Sequence, residues 1–298
     1  MDELNAKVAF VTGGASGIGL GMAQAFLENG MRVVVADVRQ DHLEEAAELL
    51  GEPERTLFLR LDVTDRAAMA RAADAAEDAF GKVHLLCNNA GVGIMGSSKV
   101  VGYADWDWGV GVNLTGVFNG VHTFLPRMLA HGEGGHIVNT ASISAVFPSG
   151  LIYGAAKAGV LAMSEALRID LEHDGIGVTC LMPGPVKSNI HEVAKLRPGQ
   201  FQETRLDSFE QELEKRSPSP DWMTPIEVGR LTVDAIRRNQ LFVFTHKEFK
   251  RGVEERFAAI LAGFPAGEVD EAQAGRLGFP VRRPLYAQIM NAGPASRR

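Results

Sequence analysis

Tyr153 and Lys157 are the side chains of this sequence whose types and spacing point most directly to chemistry. They stand four residues apart in the run Y-G-A-A-K, so on a helix they share one face and lie one turn apart. A neighbouring ammonium favours the phenolate and lowers the pKa of the phenol from about 10 toward neutral pH. Such a phenol can take a proton from an alcohol or return one to a carbonyl. Because Y-x-x-x-K also arises by chance, it indicates an active site only when other motifs of the sequence support it.

A glycine-rich turn upstream predicts a dinucleotide site. The run T-G-G-A-S-G-I-G (12–19) joins a predicted strand to a predicted helix, which is the context that a dinucleotide-binding turn requires. Gly13, Gly17 and Gly19 allow a tight turn, close approach of the backbone to a phosphate, and close packing of helix on strand. The free N–H groups at the start of the helix attract a pyrophosphate.

Asp37 ends the second predicted strand, 18 residues after Gly19. A carboxylate there accepts hydrogen bonds from the adenosine ribose hydroxyls and repels a 2′-phosphate, so we expect NAD rather than NADP as the cofactor. An ordinary exposed aspartate after a strand is the alternative. Arg39 complicates the cofactor prediction, since an arginine nearby can tolerate the phosphate, but Val38 beside Asp37 is not basic and NAD is retained.

Short β-branched strands alternate with longer helices along most of the chain. Strands are predicted at 7–12, 31–37, 56–62, 83–89, 135–140, 176–182 and 241–245, and helices up to 29 and at 40–50, 65–80, 103–130, 152–173, 225–238 and 247–262. This rhythm predicts an α/β fold of the Rossmann type: a doubly wound, seven-stranded, mainly parallel sheet with helices on both faces. The strands lack polar alternation, as expected when both faces of a sheet are covered.

The rhythm changes after Pro183-Gly184-Pro185. We predict a single Rossmann-type domain over 1–298, with a substrate lid at 186–222 and a C-terminal tail at 265–298. Thr224 followed by Pro225 has the form of an N-cap and a first-turn proline, which opens the helix after the lid.

Composition excludes several classes of function. With 46% hydrophobic residues, a net charge of −7 and no Lys/Arg block, neither nucleic acid nor an anionic membrane is expected as a partner. Cys87 and Cys180 lie in apolar runs and are interpreted as buried free thiols, and the eight histidines show no ligand spacing, so no metal site is expected. The polar N-terminus and the short, glycine-broken apolar stretch after it predict neither signal peptide nor membrane span, hence a cytoplasmic protein.

Six elements in one fixed order resemble the short-chain dehydrogenase/reductase family of the T-G-x-x-x-G-x-G type. They are the glycine loop, N-N-A-G (88–91), Asn113 in V-N-L-T-G, Ser142 in I-V-N-T-A-S, Y-G-A-A-K, and P-G-P-V-K-S (183–188). The resemblance covers about residues 5–190 of the chain. It implies an NAD-dependent alcohol dehydrogenase that assembles as a homodimer or homotetramer.

The resemblance also implies residue roles. Asn113 would hold a water in a proton relay, Ser142 the substrate oxygen, Tyr153 would be the acid/base, and Lys157 would bind the nicotinamide ribose and lower the tyrosine pKa. The cofactor-binding residues implied, besides Tyr153 and Lys157, are Gly13, Ser16, Gly17, Ile18, Gly19, Asp37, Arg39, Asp62, Val63, Asn89, Ala90, Gly91, Pro183, Gly184, Val186 and Ser188. The segment from Ser142 to Tyr153 is about two residues shorter than is usual in the family, which leaves Ser144 as a rival for the serine role.

Three stretches, 34–46, 135–142 and 181–192, resemble the bacterial Cα-dehydrogenases of lignin β-aryl-ether catabolism. This implies a small aromatic alcohol as substrate, oxidised at its benzylic position to a ketone. A bulky diaryl substrate needs a roomy apolar pocket. Candidates for its walls, each also interpretable as plain core, are Ile94, Met95, Phe147, Ile152, Phe201 and Trp222, and candidates for polar contacts, also interpretable as solvated lid residues, are Lys187 and His191.

Two other functions stay open. One is an NAD- or NADP-dependent dehydrogenase of another secondary alcohol, of the steroid or hydroxy-acyl type. The other is a non-catalytic dinucleotide-binding protein, since fold does not fix function. The presence of Asn113, a serine, Tyr153 and Lys157 together disfavours the second alternative.

Overall fold

The structure is a computed structural model that describes residues 1, 3–147, 149–206, 210–212, 219–277 and 281–292. The chain divides into two compact units, Met1–Lys250 and Arg251–Arg298. The expectation of one domain over the whole chain, with a lid at 186–222 and a tail at 265–298, stays a prediction. The first unit contains the sheet and every predicted site residue.

The first unit is built on a parallel sheet. In the described part of the chain the sheet has seven strands in the order β3-β2-β1-β4-β5-β6-β7, and each neighbouring pair is parallel. The strands are β1 Val8–Thr12, β2 Arg32–Asp37, β3 Thr56–Arg60, β4 Leu85–Asn88, β5 Gly135–Thr140, β6 Ile176–Met182 and β7 Phe242–Phe244. The predicted fold class is confirmed. Strand order reverses between β1 and β4, and ligands of such sheets bind outside the carboxyl ends of the strands at this point.

Helices connect the strands close to the predicted bounds. They are α1 Gly17–Glu28, α2 Gln40–Leu50, α3 Arg66–Phe80, α4 Tyr103–Val110, α5 Gly116–His131, α6 Leu151–Asp170, α7 Val193–Leu196, α8 Pro225–Arg237, α9 Lys250–Leu261, α10 Glu271–Arg276 and α11 Pro284–Ala292. The predicted helix 103–130 differs from the structure, because a π-helical turn, Gly111–Thr115, separates α4 from α5. The predicted cap holds: Thr224 is the N-cap of α8 and Pro225 its first residue.

Helices α1 and α8 meet through glycines. A Cβ atom on Gly21 would lie 2.1 Å from the carbonyl oxygen of Pro225, and one on Gly229 would lie 2.1 Å from the carbonyl oxygen of Gly21. No side chain larger than hydrogen fits at either position without moving a backbone. This contact fixes α1, whose first turn follows the glycine loop, against the helix that succeeds the lid.

A chain of buried polar groups joins the sheet centre to α6. Asn88 Nδ2 donates to Asn139 Oδ1 (2.9 Å), Asn139 Nδ2 donates to Ser164 Oγ (3.1 Å), and Ser164 Oγ donates to the Val160 carbonyl (2.7 Å). Buried polar groups stabilise a fold when they are paired in this way. The chain therefore sets the position of α6, which carries Tyr153 and Lys157, relative to β4 and β5.

The two cysteines are buried free thiols, as predicted. Burial raises the pKa of Cys180 to about 12, which keeps this thiol protonated near neutral pH. Within the described residues, no helix is both long and apolar enough to cross a membrane. No cluster of three or more His, Cys, Asp or Glu side chains in that same part of the chain is placed to hold a metal ion.

The second unit is short and largely exposed. Its helix α10 is capped by Asp270, whose Oδ1 accepts a hydrogen bond from the backbone N–H of Gln273 at 3.0 Å. Arg282 Nη2 and Glu271 Oε1 form an exposed ion pair at 3.0 Å. Exposed pairs of this kind contribute little to stability, about 0–1 kcal/mol.

His136 is buried as a neutral ring in β5. Thr179 Oγ1 donates to the Gln240 carbonyl (2.8 Å), so it accepts from His136, and Nε2 of the ring carries the proton (2.8 Å). Nδ1 has no hydrogen-bond partner among the described residues. Burial lowers the pKa of His136 to about 3.

The His136 ring is expected to make the protein acid-sensitive. The unfolded chain takes up a proton on this histidine below pH of about 6.5, whereas the folded chain does so only near pH 3. The contribution of the neutral ring to the free energy of unfolding is therefore fully present above the unfolded pKa. It decreases as the pH is lowered between these two values, by about 1.4 kcal/mol per pH unit. In urea unfolding at several pH values, the free energy of unfolding of His136→Gln should decrease less steeply with falling pH than that of the wild type. The exposed His173→Gln is the control, and equal slopes in both variants would contradict the assignment.

Candidate active site

A cleft of about 540 Å³ opens at the carboxyl ends of the central strands. It brings most of the predicted site residues together. Those in its lining are Gly13, Ser16, Gly17, Ile18, Asp37, Arg39, Asp62, Val63, Asn89, Ala90, Gly91, Ser142, Tyr153, Lys157, Pro183, Gly184, Val186 and Ser188. Gly19 and Asn113 lie behind the lining, and their roles at the site stay predictions.

The glycine loop is packed too closely for side chains. Gly13 and Gly17 have positive φ angles of 58° and 48°, which side chains disfavour. A Cβ atom on Gly13 would lie 2.8 Å from Ala90 Cα, and one on Gly17 would lie 2.8 Å from Ser188 Cβ. A Cβ atom on Gly19 would lie 2.0 Å from the Gly13 carbonyl oxygen, which explains why Gly19 supports the loop from behind.

The start of α1 faces the cleft through Gly17 and Ile18. Ser16 is the N-cap of this helix, and its side chain makes no capping hydrogen bond. The first backbone N–H groups of a helix attract anions. A backbone cradle that leaves no room for a Cβ atom, followed by an uncapped helix start, fits the pyrophosphate of a dinucleotide.

Asp37 and Arg39 stand at one end of the cleft. The Asp37 carboxylate is 8% exposed and accepts hydrogen bonds from the backbone N–H groups of Ala15 (3.3 Å) and Arg39 (3.1 Å). Burial raises the pKa of Asp37, and these hydrogen bonds oppose the rise. Asp62 also lines the cleft, and its Oδ1 accepts from the backbone N–H and the hydroxyl of Thr64 at 2.9 and 2.8 Å.

Asn89 ties three strand ends together beside the loop. Its Nδ2 donates to the carbonyls of Thr12 (3.2 Å) and Gly13 (3.1 Å), and its Oδ1 accepts from Thr140 Oγ1 (3.2 Å). These bonds fix the glycine loop to the end of β5. The Thr140 carbonyl in turn accepts from Lys157 Nζ at 2.8 Å, so the same residue positions the lysine.

Tyr153 and Lys157 share one face of α6, as the spacing predicts, but the electrostatics differ from the expectation. Lys157 Nζ lies 5.6 Å from the centroid of the Tyr153 ring, over its face. Burial raises the pKa of Tyr153, and a hydrogen bond with Ser142 opposes the rise. The expected lowering of the pKa by Lys157 is absent because burial disfavours the phenolate and the ammonium is directed at the Thr140 carbonyl. Burial lowers the pKa of Lys157 itself to about 8.

The geometry favours Ser142 over Ser144 for the serine role. Ser142 Oγ accepts from the backbone N–H of Ser144 at 3.1 Å, and Ser142 is the serine that hydrogen-bonds to Tyr153. Ser144 Oγ pairs with Ser149 Oγ at 2.7 Å. Both serines line the cleft, but Ser144 is directed at another hydroxyl.

Asn113 acts on the backbone around the cleft. Its Oδ1 accepts from the Val92 N–H (3.1 Å), and its Nδ2 donates to the carbonyls of Val92 (2.9 Å) and Gly109 (3.0 Å). It lies in the π-helical turn and is fully buried. Its side chain therefore holds the irregular segment that follows Gly91 against the π-helical turn, while the water-holding role stays a prediction.

The model of the family described as short chain dehydrogenase matches residues 7–197. The chain belongs to the short-chain dehydrogenase family. A C alpha-dehydrogenase from Sphingobium sp. (strain NBRC 103272 / SYK-6) is 39% identical over 275 residues, which cover 91% of this chain and 90% of the relative. Membership of this family and the similarity to this relative identify the protein as an alcohol dehydrogenase, an oxidoreductase.

Two solved structures share the fold of this short-chain dehydrogenase. A short chain dehydrogenase/reductase from Burkholderia phymatum, in complex with NAD, has a TM-score of 0.82 and 35% identity, covering 91% of this chain and 100% of that chain. LigO from Sphingobium sp. strain SYK-6, in its apo form, has a TM-score of 0.72 and 37% identity, covering 99% and 100%. The Rossmann-type architecture thus extends over nearly the whole length of these relatives.

The apolar wall of this short-chain dehydrogenase differs in part from the predicted one. Met95, Phe147 and Trp222 line the cleft, whereas Ile94 and Ile152 are core residues and Phe201 packs against their cluster. Lys187 and His191 are outside the lining. Apolar lining residues that the sequence did not single out include Trp108, Val112, Ile143, Ile190, Leu196 and Phe249.

A buried ion network holds the lid segment (186–222) to α4. Arg197 Nη1 lies 3.0 Å from Asp105 Oδ1, and Nη2 pairs with Glu210; all three side chains are at most 3% exposed. The Arg197 guanidinium stacks 4.7 Å from the centroid of Trp108, which lines the cleft. Sequence reasoning missed this network, because its members are far apart in the chain and match no motif.

Proposed function

We propose that this short-chain dehydrogenase uses NAD to oxidise a benzylic secondary alcohol, the Cα-OH of a lignin-type β-aryl ether, to the ketone. The observation that carries the proposal is the wall of aromatic and aliphatic side chains in the same cleft as Ser142 and Tyr153. An apolar wall with a few convergent polar groups suits a bulky aryl substrate. Similarity over most of the chain to a protein named C alpha-dehydrogenase supports the same substrate class.

The choice of NAD rests on Asp37. Its buried carboxylate ends β2 in the cleft lining, where it would accept hydrogen bonds from ribose hydroxyls and repel a 2′-phosphate. The glycine loop and the start of α1 would hold the pyrophosphate, and Lys157 the nicotinamide ribose. The hydride acceptor of the reaction is supplied by NAD when it is bound.

The protein residues move the proton. Ser142 and Tyr153 would hold the substrate hydroxyl, and the Tyr153 oxygen would take its proton as the ketone forms. Lys157 is a cation below its pKa of about 8, and its ammonium is held by the Thr140 carbonyl one helical turn from Tyr153. General-base catalysis of this kind contributes roughly 10²–10⁴-fold. The apolar wall excludes water from the developing charge.

Assembly as a homodimer or homotetramer belongs to the same proposal. Helices α4, α5 and α6 carry apolar side chains that remain exposed in the single chain, namely Tyr103, Trp106, Phe118, Leu129 and Leu151. Exposed apolar side chains of this kind suit an interface between copies. We expect the contact to use these helices.

Substrate choice is tested by the turnover of each enantiomer of a guaiacylglycerol β-aryl-ether dimer with NAD and with NADP, followed by NADH or NADPH absorbance. We expect one enantiomer with NAD to give the highest kcat/KM in a panel that includes a hydroxysteroid and a 3-hydroxyacyl thioester. A panel led by either of these two compounds would assign the enzyme to another secondary alcohol. NADH binding without turnover of any alcohol would instead indicate a dinucleotide-binding protein without catalysis.

A further inference from the structure

Arg39 enters the cleft lining but its guanidinium is already occupied. Nε donates to Asp41 Oδ1 at 3.0 Å, Nη2 pairs with the other oxygen of Asp41, and Nη1 donates to Glu192 Oε2 at 2.7 Å. The guanidinium is thus paired along two of its edges. Because arginine binds phosphate through these same donors in a planar, bidentate geometry, Arg39 in this arrangement has little left to offer a phosphate.

Glu192 reaches Arg39 from the lid segment, 153 positions further along the chain. Its second oxygen, Oε1, accepts from Lys195 Nζ at 3.1 Å. Burial alone would raise the pKa of Glu192, but the hydrogen bonds from Lys195 and Arg39 outweigh it and the pKa is lowered. Glu192 is therefore an anion at neutral pH, and both its oxygens are bound to cations.

The charged partners of this group are all protein side chains. Arg39 and Lys195 are paired with Asp41 and Glu192, whereas the Asp37 carboxylate accepts hydrogen bonds from the backbone N–H groups of Ala15 and Arg39. Asp37, Arg39 and Glu192 all line the same end of the cleft. A 2′-phosphate placed there would meet the Asp37 carboxylate, while the arginine two residues further on is already paired.

We propose that Glu192 is a coenzyme-specificity residue: it reserves the Arg39 guanidinium and so prevents this end of the cleft from accepting a 2′-phosphate on the adenosine ribose. The proposal rests on the NAD dependence proposed above and adds a residue of the lid to it. Asp37 repels the phosphate directly, whereas Glu192 withholds the cation that would offset this repulsion. Glu192 is thus a positioning residue, acting through Arg39.

The test compares two adenosine ligands that differ in the 2′-phosphate. Calorimetric affinities for 5′-AMP and for adenosine 2′,5′-bisphosphate are measured with the wild type, Glu192→Gln and the control Glu203→Gln, an exposed carboxylate of the same lid segment. In Glu192→Gln we expect about tenfold tighter binding of the bisphosphate, the value of one charge-assisted hydrogen bond, and nearly unchanged binding of 5′-AMP. Asp37 stays in place, so its repulsion limits the gain. The kcat/KM ratio of NADP to NAD should rise in parallel.

Arg39 must carry the effect. The double variant Glu192→Gln with Arg39→Ala should lose the gain, and Glu192→Ala should reproduce it if the amide variant folds poorly. Unchanged bisphosphate affinity in both Glu192 variants, or a gain that persists without Arg39, would overturn the proposal. Failure of the NAD assignment is separable, because it would appear in the wild type alone as tighter binding of the bisphosphate than of 5′-AMP.

Discussion

Replacing Tyr153 with phenylalanine is expected to lower turnover by roughly 10²–10⁴-fold while NADH binding stays nearly unchanged. The substitution removes the hydroxyl that takes the substrate proton. The ring, which is buried with Lys157 Nζ 5.6 Å from its centroid, keeps its place. Turnover is measured by NADH absorbance at saturating alcohol, and binding by NADH fluorescence titration.

The matched control for this prediction is Tyr103→Phe. Tyr103 is 91% exposed at the start of α4 and is not in the cleft lining, so the same hydroxyl is removed outside the site. Wild-type turnover should also rise with pH, because burial raises the pKa of Tyr153 and the phenolate form grows as the pH increases. The Tyr153→Phe variant should lack this dependence. Turnover equal to that of the control would reject Tyr153 as the acid/base.

Features that depend on local backbone rules could be predicted from the sequence. Gly13 and Gly17 adopt positive φ angles, which is why only glycine suits these positions of the loop. The strands are apolar runs because both sheet faces are covered. Tyr153 and Lys157 share a helix face because their spacing is one turn. In each case the constraint lies within a few consecutive residues.

Features that depend on contacts between distant segments could not be predicted. The π-helical turn at Gly111–Thr115 coincides with hydrogen bonds in both directions between the Asn113 side chain and the backbone of Val92, a residue of another segment. The direction of the Tyr153 pKa shift depends on how deeply the ring is buried, which no motif encodes. Met95 faces the cleft while its neighbour Ile94 faces the core, a difference that follows from how the loop is oriented on the sheet.

The lid network gives the second large expected effect. Arg197→Met should reduce the free energy of unfolding by about 3–5 kcal/mol, because it leaves buried carboxylates without their cation. Asp105 keeps hydrogen bonds from Thr204 Oγ1 (2.6 Å) and the Gly102 N–H (2.8 Å). Most of the destabilisation is therefore expected from the buried Glu210 carboxylate, which is left without its cation. Urea unfolding and limited proteolysis of the lid segment measure the effect. The exposed Arg205→Met is the control.

A double variant separates charge from packing as the origin of that cost. Arg197 also lies 4.7 Å from the Trp108 ring centroid, so methionine removes a stacked plane as well as a charge. If the stranded Glu210 carboxylate dominates, Arg197→Met with Glu210→Met should recover part of the lost stability, since apolar replacements of buried ion pairs are often neutral. A double variant no more stable than Arg197→Met would show instead that the stranded Glu210 carboxylate is not the origin of the cost.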